Sequence, residues 1–244
     1  MRNIKLTLSY DGSDFSGWQT QPRFRTVQET VEAAIHALTG ERVNANASGR
    51  TDTGVHAVGQ VANFYTQSQH STEVLVRALN AHLPDDVVVR QAADMPEAFD
   101  ANRDARRKLY RYVIHDGPVP DPFLRHYCHQ SRHPLDAAVM SAAAKPLLGR
   151  HDFRSFETDW PNRLSSVRTV THLSLNRVGE WIWIDVEADG FLYNMVRAIA
   201  GTLIDVGRGY RSASQIAEIL EAEDRRQAGP TAPAQGLFLM RVTY

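Results

Sequence analysis

The sequence predicts an α+β protein with largely antiparallel sheets, and three features of the chain support this class. Residues 4–10 alternate between apolar and polar side chains, which is typical of a half-buried strand. Residues 27–38 carry apolar side chains at the spacing of an amphipathic helix. The predicted strands come in pairs that are segregated from the helices, and this arrangement favours α+β.

The first strand is followed by a loop that carries two large aromatic side chains, Phe15 and Trp18. Because exposed loops seldom carry such side chains, we expect this loop to pack down or to bind something. Thr26 and Glu29 predict a capping box at the start of the first helix, and Gly40 suits its end.

The remaining elements follow from the same periodicities and from breakers such as Pro84 and Gly207. Four prolines mark a loop over residues 118–134. We place a domain boundary between an N-terminal half, 1–104, and a C-terminal half, 105–244. Expected strands cover residues 43–48, 57–65, 86–93, 105–115, 165–176, 180–188 and 236–243, and expected helices cover 72–82, 135–148, 191–206 and 212–223.

Composition excludes several classes of protein. The 244 residues are 43% hydrophobic and 23% charged, which is ordinary for a globular protein. No apolar run approaches the length of a membrane span, and the polar first residues do not form a signal peptide, so we expect a cytoplasmic protein. Cys128 is the only cysteine, which excludes an internal disulfide and a cysteine-based zinc site. The net charge of −1 argues against a strongly basic nucleic-acid binder.

The segment Gly49–Ala57, GRTDTGVHA, is the most informative part of the chain. If it is extended between its glycines, Arg50 and Asp52 lie on one face, because alternate side chains of a strand point the same way. A neighbouring cation keeps a carboxylate ionised, and such a carboxylate can act as nucleophile or base. A turn with a surface ion pair explains the same residues. A metal site with His56 would lack a third ligand.

Positive charge is clustered after residue 102. Nearly all cations of the chain are arginines, which suit phosphate and base contacts but also reflect GC-rich genomes. Tyrosines interleave with the cluster, as RNA binding requires, although a solvated strand face explains such a run equally well. The cluster comprises Arg103, Arg106, Arg107, Lys108 and Arg111, with Tyr110, Tyr112 and a single acid, Asp104.

Arg197 lies within a predicted helix that is apolar nearly all round. A buried guanidinium is costly unless it pairs with an anion. Asp189 and Asp205 are local candidates for that anion, and Asp52 is a distant one.

Motifs of other enzyme classes are absent. The sequence has no phosphate loop, dinucleotide-binding motif, nucleophile elbow or HExxH motif. The pair His151–Asp152 is too short a signal for a metal-dependent hydrolase and fits a strand-entry turn.

Seven segments carry a resemblance that runs nearly end to end. The chain resembles the tRNA pseudouridine synthase A family, the tRNA pseudouridine(38-40) synthases. The segments are YDGSDFSGWQTQ (10–21), SGRTDTGVHA (48–57), KLYRYVI (108–114), HDFRSF (151–156), SSVRTV (165–170), FLYNMVRAIAGTLIDVGRG (191–209) and APAQGLFL (232–239).

This resemblance implies an active site made from several segments. Asp52 is expected to be the essential aspartate and Arg50 to accompany it. Tyr110 is expected at the target base, and Arg197 is expected to pair with the aspartate. Candidate RNA contacts are Arg103, Arg106, Arg107, Lys108 and Arg168.

The resemblance also implies a pseudouridine-synthase-like fold with a central antiparallel sheet and two related halves that form one catalytic unit with a cleft between them. It implies isomerisation of uridine in the tRNA anticodon stem-loop by a homodimer, without cofactor or metal. Thr53 and Asn102 depart from the usual alanine and arginine, which puts one RNA contact in doubt; Arg103 is a substitute for it.

Three alternatives stay open at this stage. The first is a non-catalytic tRNA-binding or tRNA-folding protein on the same scaffold. The second is a pseudouridine synthase for other RNA positions. The third is a metal-dependent hydrolase built on Asp52, His56, His151 and Asp152.

Overall fold

The computed structural model describes residues 1–158 and 165–244. The chain divides into two compact units: unit 1 comprises Met1–Arg106 and Phe238–Tyr244, and unit 2 comprises Arg107–Leu237. Among the described helices, none has the length and apolar character needed to cross a membrane. The elements are β1 (Arg2–Tyr10), α1 (Val27–Thr39), β2 (Asn46–Ala47), β3 (His56–Thr66), α2 (Thr72–His82), β4 (Val87–Met95), β5 (Arg107–His115), β6 (His129–Gln130), α3 (Ala137–Ala144), β7 (Gly149–Asp152), β8 (Val167–Val178), β9 (Trp181–Ala188), α4 (Met195–Gly207), α5 (Gln215–Ala222) and β10 (Leu237–Thr243).

Unit 1 is built on strands in the order β4–β1–β3–β10, with β2 paired to β3. The pairs are antiparallel except β3–β10, in which Phe238 lies opposite His56 in parallel register. Ile4, Leu6 and Leu8 alternate along one face of β1 and are fully buried. Helix α2 packs against β4 and α1. The period-two pattern that predicted the first strand therefore identifies the face that forms this core.

Unit 2 is built on strands in the order β5–β9–β8–β7, with β6 paired in parallel to β5. The pairs β5–β9, β8–β9 and β7–β8 are antiparallel. Helix α4 contacts β5 and α3, and its Ile199 and Leu203 are fully buried. With unit 1, this confirms the α+β class and its mainly antiparallel pairing; the relation between two halves of the chain stays a prediction.

The predicted capping box of α1 is wrong. Thr26 is the N-cap residue, but its hydroxyl makes no capping bond and is buried without a hydrogen-bond partner. The first helical amides are satisfied instead by the preceding loop, since Val27 N donates to the Gly17 carbonyl and Gln28 N to that of Trp18. The cap is therefore made by tertiary contact of the aromatic loop and not by local side chains.

Two other boundaries differ from the sequence prediction. Helix α4 begins at Met195 and not near residue 191, because Asn194 adopts a left-handed conformation, with φ 61°, that ends the preceding turn. The strand β7 falls where only a turn was expected at His151–Asp152, and it pairs with β8. The strands β3, β4, β5, β8, β9 and β10 and the helices α1, α2, α3 and α5 confirm predicted elements within a few residues.

Candidate active site

Residues Gly49–Gly54, which we call the Asp52 loop, connect β2 to β3 in unit 1. Thr51 is 6% exposed, whereas its neighbour Arg50 is exposed and Asp52 is half-buried. This alternation is that of an extended segment whose middle residue points inward. The loop thus leaves the two charged residues more exposed than Thr51 between them; that they lie on one face stays a prediction. Gly54 turns the chain with φ 76°, a conformation that suits glycine.

A buried polar network holds the inward side of the Asp52 loop. The Tyr10 hydroxyl and Thr51 Oγ1 are 2.7 Å apart, and both side chains are buried. Gln60 Nε2 donates to the Gly49 carbonyl at 3.0 Å and to the Tyr10 hydroxyl at 3.4 Å. Ser48 Oγ in turn donates to Gln60 Oε1 at 2.8 Å. Burial raises the pKa of Tyr10 to about 12, so its phenol stays protonated at neutral pH.

The aromatic loop after β1 packs against the Asp52 loop, which confirms that it packs down. Phe15 and Trp18 are each 2% exposed. Trp18 N donates to the Thr51 carbonyl at 3.0 Å, and Gly54 N donates to the Phe15 carbonyl at 3.3 Å. Gly17 has φ 85°, and a Cβ there would lie 2.6 Å from the Thr51 carbonyl oxygen. The two loops therefore fix each other through their backbones.

His56 has structural contacts within unit 1. Its ring is buried and stacks on Phe238 with the centroids 4.7 Å apart. Its Nδ1 accepts a hydrogen bond from Gly12 N at 3.0 Å and lies 3.2 Å from Asp11 Oδ1. These contacts tie the end of β1 to the start of β3.

His151 and Asp152, two residues of the metal-dependent hydrolase alternative, make other contacts. His151 Nε2 contacts the Leu148 carbonyl at 2.7 Å, and Asp152 pairs with Arg154 at 3.3 Å. Across residues 1–158 and 165–244, no group of three or more His, Cys, Asp and Glu side chains is arranged to hold a metal ion. The described residues therefore offer no support for the hydrolase alternative.

Tyr110 lies at the centre of β5 in unit 2, opposite Val186 of β9. Its side chain is 8% exposed, and its ring meets that of Phe191 edge-on with the centroids 5.0 Å apart. An aromatic pair of this geometry holds both rings in place. Tyr110 is therefore a positioned ring and not a mobile surface side chain.

Arg197 projects from the first turn of α4. Its side chain is half-buried, so the expectation of a fully buried guanidinium is wrong. Nε donates to the Ala232 carbonyl and Nη1 donates to Asn194 Oδ1, each at 2.7 Å. Asn194 in turn donates to Thr158 Oγ1 at 3.0 Å. These bonds fix the direction of the guanidinium.

The two local carboxylates considered for Arg197 have contacts of their own. Asp205 contacts Arg211 at 3.4 Å, and Asp189 Oδ1 accepts from Thr169 N at 2.9 Å. The pairing of Arg197 with Asp52 stays a prediction.

More cations of the predicted cluster are paired with acidic side chains than the sequence indicates. Asp185 receives two hydrogen bonds from Arg111, both 2.7 Å long. Arg107 lies 3.4 Å from Glu187, and Arg103 lies 3.0 Å from Asp104. Arg106 has an exposed side chain. Cross-strand acids on β9, distant in sequence, therefore oppose cations that appeared to face only Asp104.

Tyr112 is part of the core and not of an RNA surface. It is fully buried, and its hydroxyl donates to the Pro233 carbonyl at 2.8 Å. Lys108 and Tyr110 stand two residues apart on the same strand and so lie on one face of it; their contact with RNA stays a prediction. Burial, assisted by the charge of Arg168, lowers the pKa of Lys108. Arg168 also donates to the Ser165 carbonyl at 3.2 Å. The effect of the Arg168 charge on Lys108 shows that these two candidate RNA contacts lie near each other.

Comparison with known proteins assigns the chain to a family. A family model described as tRNA pseudouridine synthase matches residues 7–102 and 143–244. The chain belongs to the tRNA pseudouridine synthase family. The matched ranges contain Arg50, Asp52 and Arg197, whereas Tyr110 lies outside them.

Relatives in this family match the chain over its whole length, which confirms the resemblance. The tRNA pseudouridine synthase A of Acetivibrio thermocellus is 46% identical over 244 residues and is covered completely, as is this chain. That of Brevibacillus brevis is 45% identical over the same length, again with complete coverage of both chains. The crystal structure of a Cbf5-Nop10-Gar1 complex is similar over 96% of this chain and 57% of that chain, with 13% identity and a TM-score of 0.35.

The sequence patterns did not identify the residues that hold Asp52 and Arg197 in place. Tyr10, Gln60 and Gly17 hold the Asp52 loop, and Asn194 and Ala232 hold Arg197. All but Gln60 stand in segments that carried the resemblance. Their presence in these motifs marked the segments, but periodicity and charge could not show which side chains hold Asp52 and Arg197.

Proposed function

We propose that this protein isomerises uridine to pseudouridine in the anticodon stem-loop of tRNA, at positions 38, 39 and 40, with Asp52 as the catalytic carboxylate. Complete coverage of curated tRNA pseudouridine synthase A relatives at 46% identity is the observation that carries the proposal. The placement of Asp52, half-buried on a loop that is held from its inner side, supports it.

The chemistry requires a base to be detached, turned and reattached. The bond from uracil N1 to ribose C1′ breaks, the base turns, and a bond from C5 to C1′ forms. C5 then loses its proton to solvent while N1 gains one, so the atoms balance without any redox partner. Asp52 acts as nucleophile at C1′ or at uracil C6, or as a base on the sugar. Each role needs an ionised carboxylate whose position is fixed.

The target nucleotide must leave its stack, which costs a few kcal/mol. Tyr110 is proposed to stack on the uracil, and stacking contributes about 1–3 kcal/mol per base. Arg50, exposed beside Asp52, is proposed to hold the extruded nucleotide or to fill its place. Arg197 is proposed to keep Asp52 ionised and oriented. Asp52 belongs to unit 1 and Tyr110 and Arg197 to unit 2, so their action on one uridine is itself part of the proposal.

The wider expectations concern the RNA and the assembly. Further RNA contacts are proposed for exposed or half-buried cations, and the enzyme is proposed to act in the cytoplasm as a homodimer that needs no cofactor or metal. The cations are Arg103, Arg106, Arg107, Lys108 and Arg168.

The decisive test is the substitution Asp52→Asn. We expect it to abolish tritium release from tRNA labelled at uridine C5 while tRNA affinity stays near that of the wild type, because the carboxylate is needed for chemistry and not for backbone contacts. Asp85→Asn is the matched control, since Asp85 is an exposed aspartate of the same unit.

Each outcome has a distinct meaning. Near-normal tritium release by Asp52→Asn would reject Asp52 as the catalytic group. Absence of pseudouridine from tRNA treated with the wild-type protein would reject the function and favour a tRNA-binding protein. Pseudouridine found only outside positions 38, 39 and 40 would replace the proposed target with another.

A further inference from the structure

A β-bulge in unit 1 turns Arg90 outward. On β4, Gln91 lies opposite Thr7 and Val89 lies opposite Leu8, so Arg90 is an extra residue in the pairing with β1. Val89 is buried, whereas Arg90 and Gln91 are both exposed. A bulge increases local twist and redirects side chains. Arg90 and Gln91 therefore both lie on the face of the sheet opposite to the one on which Leu8 is buried.

A second bulge lies on the other side of β1 at the same level. On β3, Gln60 lies opposite Leu8 and Ala57 lies opposite Tyr10, which leaves one extra residue at Val58–Gly59. Ser9 Oγ donates to the Val58 carbonyl at 2.6 Å across this bulge. Bulges are frequent beside functional sites, and β3 is the strand that follows the Asp52 loop.

Between the bulges the sheet surface forms a hollow of about 420 Å³ that is lined by three cations. These are Lys5, Arg90 and Arg241, and none of the described residues lining the hollow is an aspartate or glutamate. Tyr244 also lines it, with its ring centroid 5.7 Å from Lys5 Nζ. Val58 is 47% exposed at its edge.

A second hollow of about 700 Å³ adjoins the first. The two share Lys5 and Arg90, and the second adds Arg77 and a single acid, Glu73. Together they form one groove across β1, β3, β4, β10 and α2, which we call the basic groove (Lys5, Arg77, Arg90 and Arg241). Four cations against one acid are a marked local excess in a chain whose net charge is −1.

We propose that the basic groove binds the sugar-phosphate backbone of tRNA. Clustered Lys and Arg side chains bind a polyanion by neutralising phosphates and releasing condensed counterions. The half-buried ring of Tyr244 and the apolar edge at Val58 beside the cations suit ribose and base as well as phosphate. The inference rests on the proposed function, because tRNA is the ligand. It adds a contact surface on unit 1 that none of the family motifs around Asp52, Tyr110 or Arg197 includes.

The test is the double substitution Lys5→Gln with Arg90→Gln, measured as affinity for an unmodified tRNA transcript over a range of salt concentrations. Loss of two phosphate contacts is expected to weaken binding about tenfold near physiological salt. The slope of log K against log salt should fall by about 1.5. Lys5→Arg with Arg90→Lys keeps both charges and is expected to retain the wild-type slope. Arg42→Gln, at an exposed site of unit 1 outside the groove, is expected to leave it unchanged.

Several results would overturn the proposal. An unchanged slope in the folded Gln double variant, or an equal loss in Arg42→Gln, would reject the groove as the contact surface. Weak binding by the charge-preserving variant would show that charge is not what matters. A change in oligomeric mass without a change in tRNA binding would assign the face to a second copy of the chain. Pseudouridine formation by the wild type is measured separately, so failure of the groove and failure of the proposed function are distinguishable.

Discussion

At the scale of single residues, the Asp52 loop is held by a buried hydrogen-bond network on its inner side. Thr51 fixes the loop through the Tyr10 hydroxyl at 2.7 Å, while its carbonyl accepts from Trp18 N. Buried polar groups of this kind stabilise a structure only when each has its partner. Thr51 therefore helps to fix the position of the Asp52 carboxylate, although nothing in the motif itself marks Thr51 as important.

Thr51→Val should destabilise unit 1 by about 1–3 kcal/mol, because it leaves the buried Tyr10 hydroxyl with only the long bond from Gln60. The free energy of unfolding from urea titration would measure this, and the rate of pseudouridine formation should fall as the loop loosens. Thr53→Val makes the same change at an exposed position two residues away and should alter stability by less than about 0.5 kcal/mol. Equal effects of the two substitutions would contradict the role of the network.

At the scale of elements, α4 is joined closely to the segment 229–236. A Cβ on Gly201 would lie 1.8 Å from the Pro230 carbonyl oxygen. Gly229 N donates to Thr202 Oγ1 at 2.9 Å, and Ala232 N donates to the Arg197 carbonyl at 3.0 Å. The segment thus covers the helix face that carries Arg197, and its backbone supplies a hydrogen-bond acceptor for that guanidinium.

Gly201→Ala should separate this segment from the helix and destabilise the protein by about 3 kcal/mol, at the upper end of overpacking effects. Chemical denaturation would measure the loss. Gly190→Ala is the matched control, because its added Cβ would meet only the Arg168 side chain at 3.4 Å, an ordinary contact. Stability near that of the wild type for Gly201→Ala would show that the segment does not need this close approach.

At the scale of the whole molecule, composition conceals local electrostatics. A net charge of −1 coexists with a groove that has four cations and one acid. Burial also affects titration: together with the charge of Arg208, it lowers the pKa of His129 below its ordinary value of 6.5. The folded protein therefore binds a proton at this site less readily than the unfolded chain does.

Global stability should consequently fall as pH drops below about 6.5, since the unfolded chain takes up the proton first. When folding lowers the pKa of a group, its contribution to stability is fully present above the pKa of the unfolded state. That contribution is lost as the pH falls through the pKa of the folded state. After allowance for partial exposure, His129→Gln should reduce the difference in unfolding free energy between pH 7.5 and 5.5 by up to about 1 kcal/mol. His70→Gln, at an exposed site, should keep the wild-type difference. Identical pH dependence in both variants would refute this account of His129.

Most elements could be predicted because their periodicity is local. The alternation in β1 and the apolar stripe in α1 need no distant contact to be visible. The cap of α1 and the start of α4 could not be predicted, because the aromatic loop supplies the first and a left-handed Asn194 sets the second. The strand β7 was missed since its partner β8 lies some 15 residues further along the chain.

The sequence by itself determined the fold class, the family and the candidate residues Asp52, Arg50, Tyr110 and Arg197, because these rest on residue type and order. Only the tertiary structure decided which side chains hold those residues, that Tyr112 belongs to the core, and that Arg111 faces Asp185. It also assembled the basic groove from β1, β3, β4, α2 and β10 through two bulges. Register and cross-strand neighbours arise from pairing between distant segments, which local sequence patterns do not specify.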